Sequence, residues 1–396
     1  MSEQVWIAGG ELICGIGMDL AACLEAFEKM QPGMGTMQHL QSVHANTFPV
    51  VEVKADNATL AAMAGMPAHW SRTALLSMIA AKAAWDSSGL GDISSYRAGL
   101  VSANTVGGMD KTEHFMEAFL ENAAGGRLRE VVHHECGSIT ELVADALGIR
   151  HHVSTISTAC SSGANALMYG ARMIRSGMLD VVIAGGTDSL TRFTLNGFNT
   201  LMILDQQKCR PFDDTRTGLN LGEGAGYVVL VSDRLAAQIK PWCKLSGFAN
   251  ANDAYHQTAS SPEGTGNFMA MKGALDMAGL EPGDIGYINL HGTGTQNNDS
   301  SEGLAIARLF APAFPPVSST KSFTGHTLGA SGGIEAVFAA YALHAGLIYP
   351  NAQFTTPMKE LAFTPETTFS RGQALRHVMS NSFGFGGNCS SLVFSK

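Results

Sequence analysis

The sequence alternates short apolar strand-like runs with helix-like runs along almost all of its 396 residues. This alternation is typical of α/β proteins, in which helices pack on the faces of a sheet. The same rhythm restarts after residues 236–241, and no low-complexity linker separates the two parts. We therefore expect an α/β fold with two halves packed as one unit, residues 1–238 and residues 239–396.

The individual elements follow from apolar periodicity and from glycine and proline stops. The predicted helices cover residues 74–85, 110–122, 135–147, 164–176, 268–278, 301–310 and 332–345. The predicted strands cover residues 5–9, 98–102, 153–156, 179–184, 226–231, 285–290, 316–319 and 390–394.

Composition narrows the class of protein. Charged residues make up 15% of the chain, against about 25% in typical soluble domains, which indicates that much surface is buried against another subunit. A net charge of −9 argues against a nucleic-acid partner. No apolar run reaches the roughly 18 residues that would span a bilayer, and Met1–Gln4 lack the basic residues that begin a signal peptide. Seven scattered cysteines without a C-x-x-C pair indicate neither disulfides nor zinc, so we expect a reducing, cytoplasmic setting.

One cysteine occupies a predicted strand-to-helix turn. Cys160 lies in the segment 157–163 (STACSSG), between a strand ending near Ile156 and a helix beginning near Ala164. Unpaired N–H groups and the positive end of the helix dipole at such a turn favour a thiolate over a thiol. We expect Cys160 to be a nucleophile and the other six cysteines to be small buried hydrophobic residues.

Three further segments carry polar chemistry at predicted strand ends, where α/β folds gather their functional loops. They are residues 289–295 (NLHGTGT) with His291, residues 321–330 (KSFTGHTLGA) with His326, and the glycine-aromatic loop 381–387 (NSFGFGG). A cysteine with two histidines suits acyl transfer, in which a thiolate attacks a thioester carbonyl and backbone N–H groups stabilise the oxyanion. Two neutral histidines donating N–H bonds could then stabilise an enolate formed on a second thioester.

Taken together, the motifs resemble those of a known family over nearly the whole chain. With residues 210–213 (RPFD), 222–226 (GEGAG) and 253–256 (DAYH), they resemble β-ketoacyl-acyl-carrier-protein synthases of the Cys-His-His type, in the thiolase-like superfamily. The resemblance implies a thiolase-like α/β fold with two pseudo-symmetric halves, a five-layered αβαβα core, and a dimer. It implies an acyltransferase that condenses an acyl group on Cys160 with malonyl-acyl-carrier protein, releasing carbon dioxide and giving 3-ketoacyl-acyl-carrier protein. No cofactor is implied, because the substrates are carried on the phosphopantetheine of acyl-carrier protein.

The same resemblance implies roles for residues around the nucleophile. His291 and His326 hold the malonyl thioester carbonyl and assist decarboxylation, while the N–H groups of Cys160 and Phe385 form the oxyanion hole. The implied gate loop has Phe383 as its gate, with Gly384 and Gly386 permitting its movement.

Supporting roles are implied as well. Lys321 orients the site through a salt bridge with Glu335, Thr293 and Thr295 contact the pantetheine arm, and Val106 is a candidate for the floor of the acyl pocket. Four positions match those that hold a monovalent cation in some relatives: Asn289, Glu335, Ser380 and Asn381.

The chain also departs from the family pattern. Asn388-Cys389 stands where relatives usually have Thr-Asn, next to the gate loop. Residues 69–74 hold one cation, Arg72, where relatives that elongate fatty acids tend to carry several, which places the usual carrier-protein docking patch in doubt. The other candidates for docking are Arg127, Arg129, Lys208 and Arg210, or a partner subunit. These departures favour a specialised type II polyketide or polyene ketosynthase at least as strongly as a fatty-acid enzyme.

Two alternative functions stay open. The first is a non-condensing, chain-length-factor-like partner subunit, which the presence of Cys160 disfavours. The second is a coenzyme A-dependent acyltransferase, a thiolase or a Cys-His-Asn synthase, which the Gly-His turn at His326 disfavours. The sequence leaves open the primer, the chain length, and the choice between a homodimer and a heterodimer with a related ketosynthase or chain-length-factor subunit.

Overall fold

The computed structural model describes residues 3–396, so the first two residues of the N-terminal segment lie outside it. Within that range ten strands form one mixed sheet. The strands are β1 (Val5–Cys14), β2 (Ala98–Ala103), β3 (His152–Ile156), β4 (Val181–Asp188), β5 (Gly224–Ser232), β6 (Cys243–Asn252), β7 (Tyr287–Asn289), β8 (Val317–Ser318), β9 (His377–Gly384) and β10 (Asn388–Ser395). The helices are α1 (Leu20–Glu28), α2 (Asn57–Ala64), α3 (Arg72–Ser87), α4 (Met109–Glu121), α5 (Cys136–Leu147), α6 (Ser162–Arg175), α7 (Arg192–Thr200), α8 (Asp233–Ala236), α9 (Thr265–Ala278), α10 (Gln296–Phe310), α11 (Lys321–Thr324) and α12 (Ser331–Ala345).

The strand order repeats itself in the two halves. The first half runs β3-β2-β4-β5-β1, and the second, read from its own edge, runs β8-β7-β9-β10-β6. In each half the first two pairings are parallel and the next two antiparallel. The halves join through a short antiparallel pairing of β1 with β6, at Trp6–Lys244 and Ile7–Cys243. The predicted pseudo-symmetric α/β architecture is confirmed.

Helices fill three layers around the two halves of the sheet. α6 and α12 pack on each other and on strands of both halves, so they form the middle layer. Their apolar side chains, with those of the strands above and below, make the largest buried cluster. α3 covers the outer face of the first half, and α9, backed by α10, covers that of the second. The order of layers is therefore αβαβα.

Each predicted helix and strand overlaps an observed element of the same type. The prediction omitted two strands, β6 and β9, and the helices α1, α2, α7, α8 and α11. The proposed division at residues 238 and 239 falls between α8 and β6, and it stays a prediction. Across residues 3–396, no helix has both the length and the apolar character that a bilayer crossing requires.

The fold brings the four candidate motifs to the ends of strands. β3 leads to Cys160, β7 leads to His291, β8 leads through α11 to His326, and β9 runs directly into Phe385. β3 and β8 are the two edge strands of the sheet, whereas β7 and β9 lie inside its second half. The site therefore draws on both halves of the chain.

Candidate active site

The nucleophile candidate lies on a tight elbow before α6. Ala159 adopts a left-handed backbone conformation with φ of +52°, which turns the chain sharply just before Cys160. The hydroxyl of Ser162 accepts the N–H of Thr158 at 2.7 Å and donates to the carbonyl of Ala159 at 2.5 Å, so the elbow is closed by side-chain hydrogen bonds. α6 begins at Ser162, two residues after Cys160 and two residues before the predicted start near Ala164, so the predicted strand-to-helix turn is confirmed.

The ionisation state of Cys160 differs from the sequence expectation. Burial raises the pKa of this thiol to about 11. The charge of Lys321 and the N–H groups of Phe385 and of Cys160 itself oppose the rise, and the carboxylate of Asp188 adds to it. The expectation of a thiolate at rest was wrong, because desolvation outweighs the helix start. The two N–H groups that face the sulfur are nevertheless the pair expected to form an oxyanion hole.

His326 faces the sulfur with a defined tautomer. Its Nε2 lies 3.1 Å from Sγ of Cys160, and its Nδ1 accepts the backbone N–H of Leu328 at 3.2 Å. A backbone N–H can only donate, so the neutral ring carries its proton on Nε2. Burial and the nearby charge of Lys321 lower the pKa of His326 well below its usual value, which keeps the ring neutral. His326 therefore presents an N–H donor to the site.

His291 reaches the same state by a different contact. Nζ of Lys321 lies 3.2 Å from Nδ1 of His291, and an ammonium group has only donors, so the ring proton again resides on Nε2. Burial, followed by the charges of Lys321 and His326, lowers the pKa of His291 well below its usual value. Lys321 is itself held in a buried ion pair with Glu335, as predicted. Burial raises the pKa of Glu335 to about 7, and Lys321 opposes that rise.

The sulfur and the two imidazoles form one cluster. Sγ of Cys160 and one ring nitrogen from each of His291 and His326 lie within 4.8 Å of one another. A Cys-His-His cluster is also a set of zinc ligands. The ammonium of Lys321 beside His291 and the protons on both Nε2 atoms oppose a cation there, so the cluster suits an oxygen anion better.

The gate loop approaches the elbow closely. A side chain at Gly384 would place its Cβ 3.1 Å from the backbone nitrogen of Cys160 and 3.2 Å from that of Ser161, so the elbow would have to shift to accommodate it. The buried ring of Phe383 lies 6.0 Å from that of His291, measured between centroids. The ring of Phe385 stacks on Phe198, with centroids 5.8 Å apart and planes 20° apart.

A cavity of about 230 Å³ leads to Cys160 between these segments. Thr293 and Thr295 line it, with their hydroxyl oxygens 2.9 Å apart. Val106 is not among the residues that line it. This residue packs in a buried apolar cluster with Leu219, which does line the cavity, so a role of Val106 in the acyl pocket stays a prediction.

Glu302 holds the His291 loop, and the sequence reading missed it. Its carboxylate accepts the N–H groups of His291 at 2.9 Å and of Gly292 at 2.8 Å, as well as the side-chain amide of Asn381 at 3.1 Å. Burial raises the pKa of Glu302 to about 7. One turn earlier, Asp299 accepts the N–H of Thr293 at 3.0 Å. Two carboxylates one helical turn apart, directly after a glycine-rich loop, are the pattern that could have indicated this support.

Asp188 is a second buried carboxylate that the sequence reading missed. It accepts the N–H groups of Thr105 at 2.9 Å, of Val106 at 3.1 Å and of Gly329 at 2.7 Å. It thus ties the loop after β2 to the segment that follows His326. Burial raises the pKa of Asp188 to about 6.

Two of the four residues predicted to hold a cation have buried polar atoms without a partner. Both polar atoms of the Asn289 side chain and Oε2 of Glu335 are buried without a hydrogen-bond partner. Ser380 lies opposite Asn289 in the pairing of β7 with β9, and Oδ1 of Asn381 accepts the hydroxyl of Ser391 at 2.8 Å. The oxygens of Asn289 and Glu335 are of the type that binds a small cation, and the cation site stays a prediction.

The docking candidates differ in accessibility. Arg72 is buried and paired with Glu223, so it offers no charge to a partner. Arg210 is partly buried, with its guanidinium 3.6 Å from Oδ2 of Asp205. The remaining three candidates are exposed: Arg127, Arg129 and Lys208.

Two models of one protein family match most of the sequence. The N-terminal domain of beta-ketoacyl synthase matches residues 42–236, and the C-terminal domain matches residues 242–355. The chain belongs to the beta-ketoacyl synthase family. The family expectation drawn from the motifs is confirmed.

Similar proteins are found by sequence and by structure. The chain is 38% identical over 267 residues to 3-oxoacyl-[acyl-carrier-protein] synthase 2 of Staphylococcus aureus (strain COL), an alignment that covers 65% of this chain and 64% of that protein. It thus spans less than two thirds of the length of that curated relative. A ketosynthase in complex with its chain length factor from Xenorhabdus doucetiae is 29% identical, with a TM-score of 0.86 and coverage of 99% of this chain and 98% of that one. The ishigamide ketosynthase/chain length factor is 26% identical, with a TM-score of 0.93 and full coverage of both chains. These likenesses confirm the predicted thiolase-like fold.

Proposed function

We propose that the chain catalyses the decarboxylative condensation of an acyl group on Cys160 with malonyl-acyl-carrier protein, giving 3-ketoacyl-acyl-carrier protein. The observation that carries this proposal is the arrangement of Cys160 with two neutral histidines, both with the ring proton on Nε2. Two neutral rings that both carry a donor N–H suit the stabilisation of an enolate oxygen, which a decarboxylative condensation forms.

In the first half-reaction, the sulfur of Cys160 attacks the carbonyl carbon of an acyl thioester. The new C–S bond forms as the carbonyl electrons move to oxygen, and the N–H groups of Cys160 and Phe385 stabilise that oxyanion. Collapse of the intermediate expels the pantetheine thiolate, which takes the proton that the Cys160 thiol has lost. A thiol whose pKa is about 11 requires this coupling of proton loss to attack.

In the second half-reaction, the donors of His291 and His326 hold the thioester oxygen of the malonyl group. Carbon dioxide leaves, and the electron pair of the broken C–C bond becomes an enolate whose charge lies on that oxygen. The enolate carbon attacks the acyl carbonyl on Cys160, and the cysteine sulfur departs and is reprotonated by solvent. Since the low pKa values of both histidines keep them neutral, they can donate without first accepting a proton.

The walls of the cavity suit a carrier-bound substrate. Thr293 and Thr295 offer hydroxyl groups to the amides of a pantetheine arm, and the rings of Phe383 and Phe385 bound the passage to the sulfur. We propose that the exposed cations Arg127, Arg129 and Lys208 include the docking site for acidic acyl-carrier protein. No cofactor enters these steps, because the thioester substrates bring the reactive carbons.

We further propose that the chain works in the cytoplasm as a dimer, with a second copy or with a related chain-length-factor subunit. β3 is an edge strand of the sheet, and Val153 on it is 38% exposed. Leu120 and Leu128 are 77% and 74% exposed. Exposed apolar side chains of this size are typical of surfaces that bind another protein. Known ketosynthases resembling this chain are seen with chain length factors, which supports the heterodimer.

A monovalent cation is proposed near Glu335. Asn289 and Glu335 would hold it through their unpartnered oxygens, with the backbone around Ser380 and Asn381 completing the site. Its charge, like that of Lys321, would oppose the rise in the pKa of Glu335 and so keep that carboxylate ionised.

The decisive experiment follows the acyl group. Incubation with acyl- and malonyl-acyl-carrier protein should give an acyl adduct on Cys160 and a product longer by two carbons, both detected by mass spectrometry. Cys160→Ala should abolish both. No adduct and no extension would overturn the proposal.

The same experiment separates the alternatives. If Cys160→Ala left the activity of a complex with a related subunit unchanged, the chain would be the non-condensing partner. Turnover of acetyl-coenzyme A alone would favour the coenzyme A-dependent acyltransferase. The chain length of the extended product distinguishes a fatty-acid enzyme from a polyketide or polyene ketosynthase.

A further inference from the structure

The oxyanion hole is assembled from two segments that are far apart in the sequence. One N–H belongs to Cys160 on the elbow before α6, and the other belongs to Phe385 in the loop between β9 and β10. Because these segments are far apart in the sequence, the connecting chain does not determine the distance between the two N–H groups. Their spacing is therefore set by the contacts between them.

Asn388 makes a side-chain contact between these segments. It is the first residue of β10, three residues after Phe385. Its Oδ1 accepts the hydroxyl of Ser161, the residue that follows Cys160, at 2.7 Å. The contact thus links the base of the gate loop directly to the elbow.

Two amides strengthen this contact from neighbouring elements. Asn165 in the first turn of α6 donates to Oδ1 of Asn388 at 3.0 Å, and Asn250 near the end of β6 donates to the same oxygen at 2.7 Å. Asn165 in turn accepts the hydroxyl of Ser390 at 2.8 Å. One oxygen of Asn388 therefore gathers donors from the elbow, from α6 and from β6.

The size of the side chain matters. Gly384 comes so close to the elbow that an added Cβ would lie 3.1 Å from the nitrogen of Cys160, so the gate loop packs directly against one donor of the hole. The threonine that stands at position 388 in the family pattern has a shorter side chain and one hydroxyl oxygen. An asparagine extends an acceptor further from the backbone of β10 and can receive several donors at once.

We propose that Asn388 is a positioning residue that sets the distance between the elbow and the gate loop, and so holds the N–H groups of Cys160 and Phe385 in register as an oxyanion hole. The inference rests on the proposed function, because it assigns Asn388 a role in the acylation of Cys160. It acts through backbone groups and does not itself touch the substrate.

Two reactions at the same sulfur test the proposal. Acylation by an acyl-N-acetylcysteamine thioester passes through a tetrahedral oxyanion, whereas alkylation by iodoacetamide displaces iodide at a saturated carbon and forms none. Removing a donor from an oxyanion hole typically costs about 100- to 1,000-fold in rate, and misplacing one should cost less. We expect Asn388→Ala to slow acylation by about 10- to 100-fold and to change alkylation by less than about twofold.

Matched variants separate positioning from general damage. Ser161→Ala removes the donor that lies on the elbow, and the double variant with Asn388→Ala should slow acylation no further than Asn388→Ala alone. Asn388→Asp keeps the acceptor oxygen and should restore the ratio of acylation to alkylation. Asn122→Ala, an exposed asparagine at the end of α4, serves as the control and should change neither reaction.

Several outcomes would overturn the proposal. Equal losses in both reactions would mean that Asn388 acts only on the thiol or on folding, and no loss in either would mean that the hole is set without it. Should Asn388→Ala fail to fold, Asn388→Ser supplies the same comparison with a smaller change. Failure of the proposed function would show differently, as an absence of chain extension in the unmodified protein with the acylation ratio still measurable.

Discussion

Lys321 donates to Nδ1 of His291 over 3.2 Å from within a buried ion pair with Glu335. Because an ammonium cannot accept a hydrogen bond, this contact fixes the tautomer of His291, with the proton on Nε2. His326 obtains the same tautomer from the backbone N–H of Leu328. Two different contacts thus produce one outcome, a pair of neutral donors beside Cys160.

Substituting Lys321 by methionine should raise the pKa of His291, because the charge of Lys321 lowers it now. NMR titration of the imidazole nitrogens would measure the change. The variant also leaves Glu335 buried without its partner, which typically costs about 3–5 kcal/mol in the free energy of unfolding. Condensation should fall at least about tenfold, since His291 then loses its fixed tautomer.

The pH dependence of stability provides a check on that variant. A histidine whose pKa is lowered in the folded state binds its proton more readily when unfolded, so stability falls as the pH drops below the usual value of 6.5. Lys321→Met should weaken this acid sensitivity. Lys82→Met removes an exposed pair with Asp86 and is the matched control. An unchanged titration of His291 in the Lys321 variant would contradict the effect assigned to the charge of Lys321.

Asp188→Asn should lower the pKa of the Cys160 thiol, because the negative charge of Asp188 contributes to its elevation to about 11. The rate of alkylation by iodoacetamide, followed against pH by mass spectrometry, would then rise at a lower pH than in the unmodified protein. Asp145→Asn, on an exposed aspartate, should leave the profile in place. A profile that stayed fixed in Asp188→Asn would mean that the carboxylate acts on the loops alone.

Glu302→Gln should change how stability depends on pH. The pKa of Glu302 is raised from 4.5 to about 7, so the folded state binds this proton more tightly than the unfolded state. The resulting stabilisation is fully present below pH 4.5 and is lost as the pH rises through about 7, by about 3 kcal/mol at most. Urea unfolding across this range should show a smaller decline in the glutamine variant. The difference between the two proteins is the informative quantity, since Asp188 and Glu335 titrate in the same direction.

Much of the fold could be predicted from the local sequence pattern. The omitted strand β9 shows where such a pattern fails. β9 was not predicted because its buried residues Ser380, Asn381 and Ser382 are polar, and only their partners in the fold make such residues suitable for a core. The position of Cys160 at a helix start could be predicted, because a strand, a turn and a helix follow one another in the sequence.

The electrostatics of the site could not be predicted in the same way. The pKa of Cys160 depends on burial and on groups that are distant in the sequence, among them Lys321 and the N–H of Phe385. Glu302 and Asp188 act on loop N–H groups that only the folded chain brings to them. The sequence identifies the reacting groups by residue type. Their protonation states depend on burial and on neighbouring charges, which only the folded structure shows.

Phe198→Ala should slow acylation of Cys160 through loss of the contact with Phe385. The two rings stack with centroids 5.8 Å apart, and Phe198 also lies 6.4 Å from the ring of His326, so it supports the gate loop and one of the two donors. Aromatic pairs contribute about 0.5–1.5 kcal/mol beyond their burial, which corresponds to a decrease of up to about tenfold in rate. Rapid-quench acylation by acyl-acyl-carrier protein would measure it. Phe193, 64% exposed on the same helix, offers the control Phe193→Ala. Equal rates in the two variants would mean that the loop holds its position without the stack.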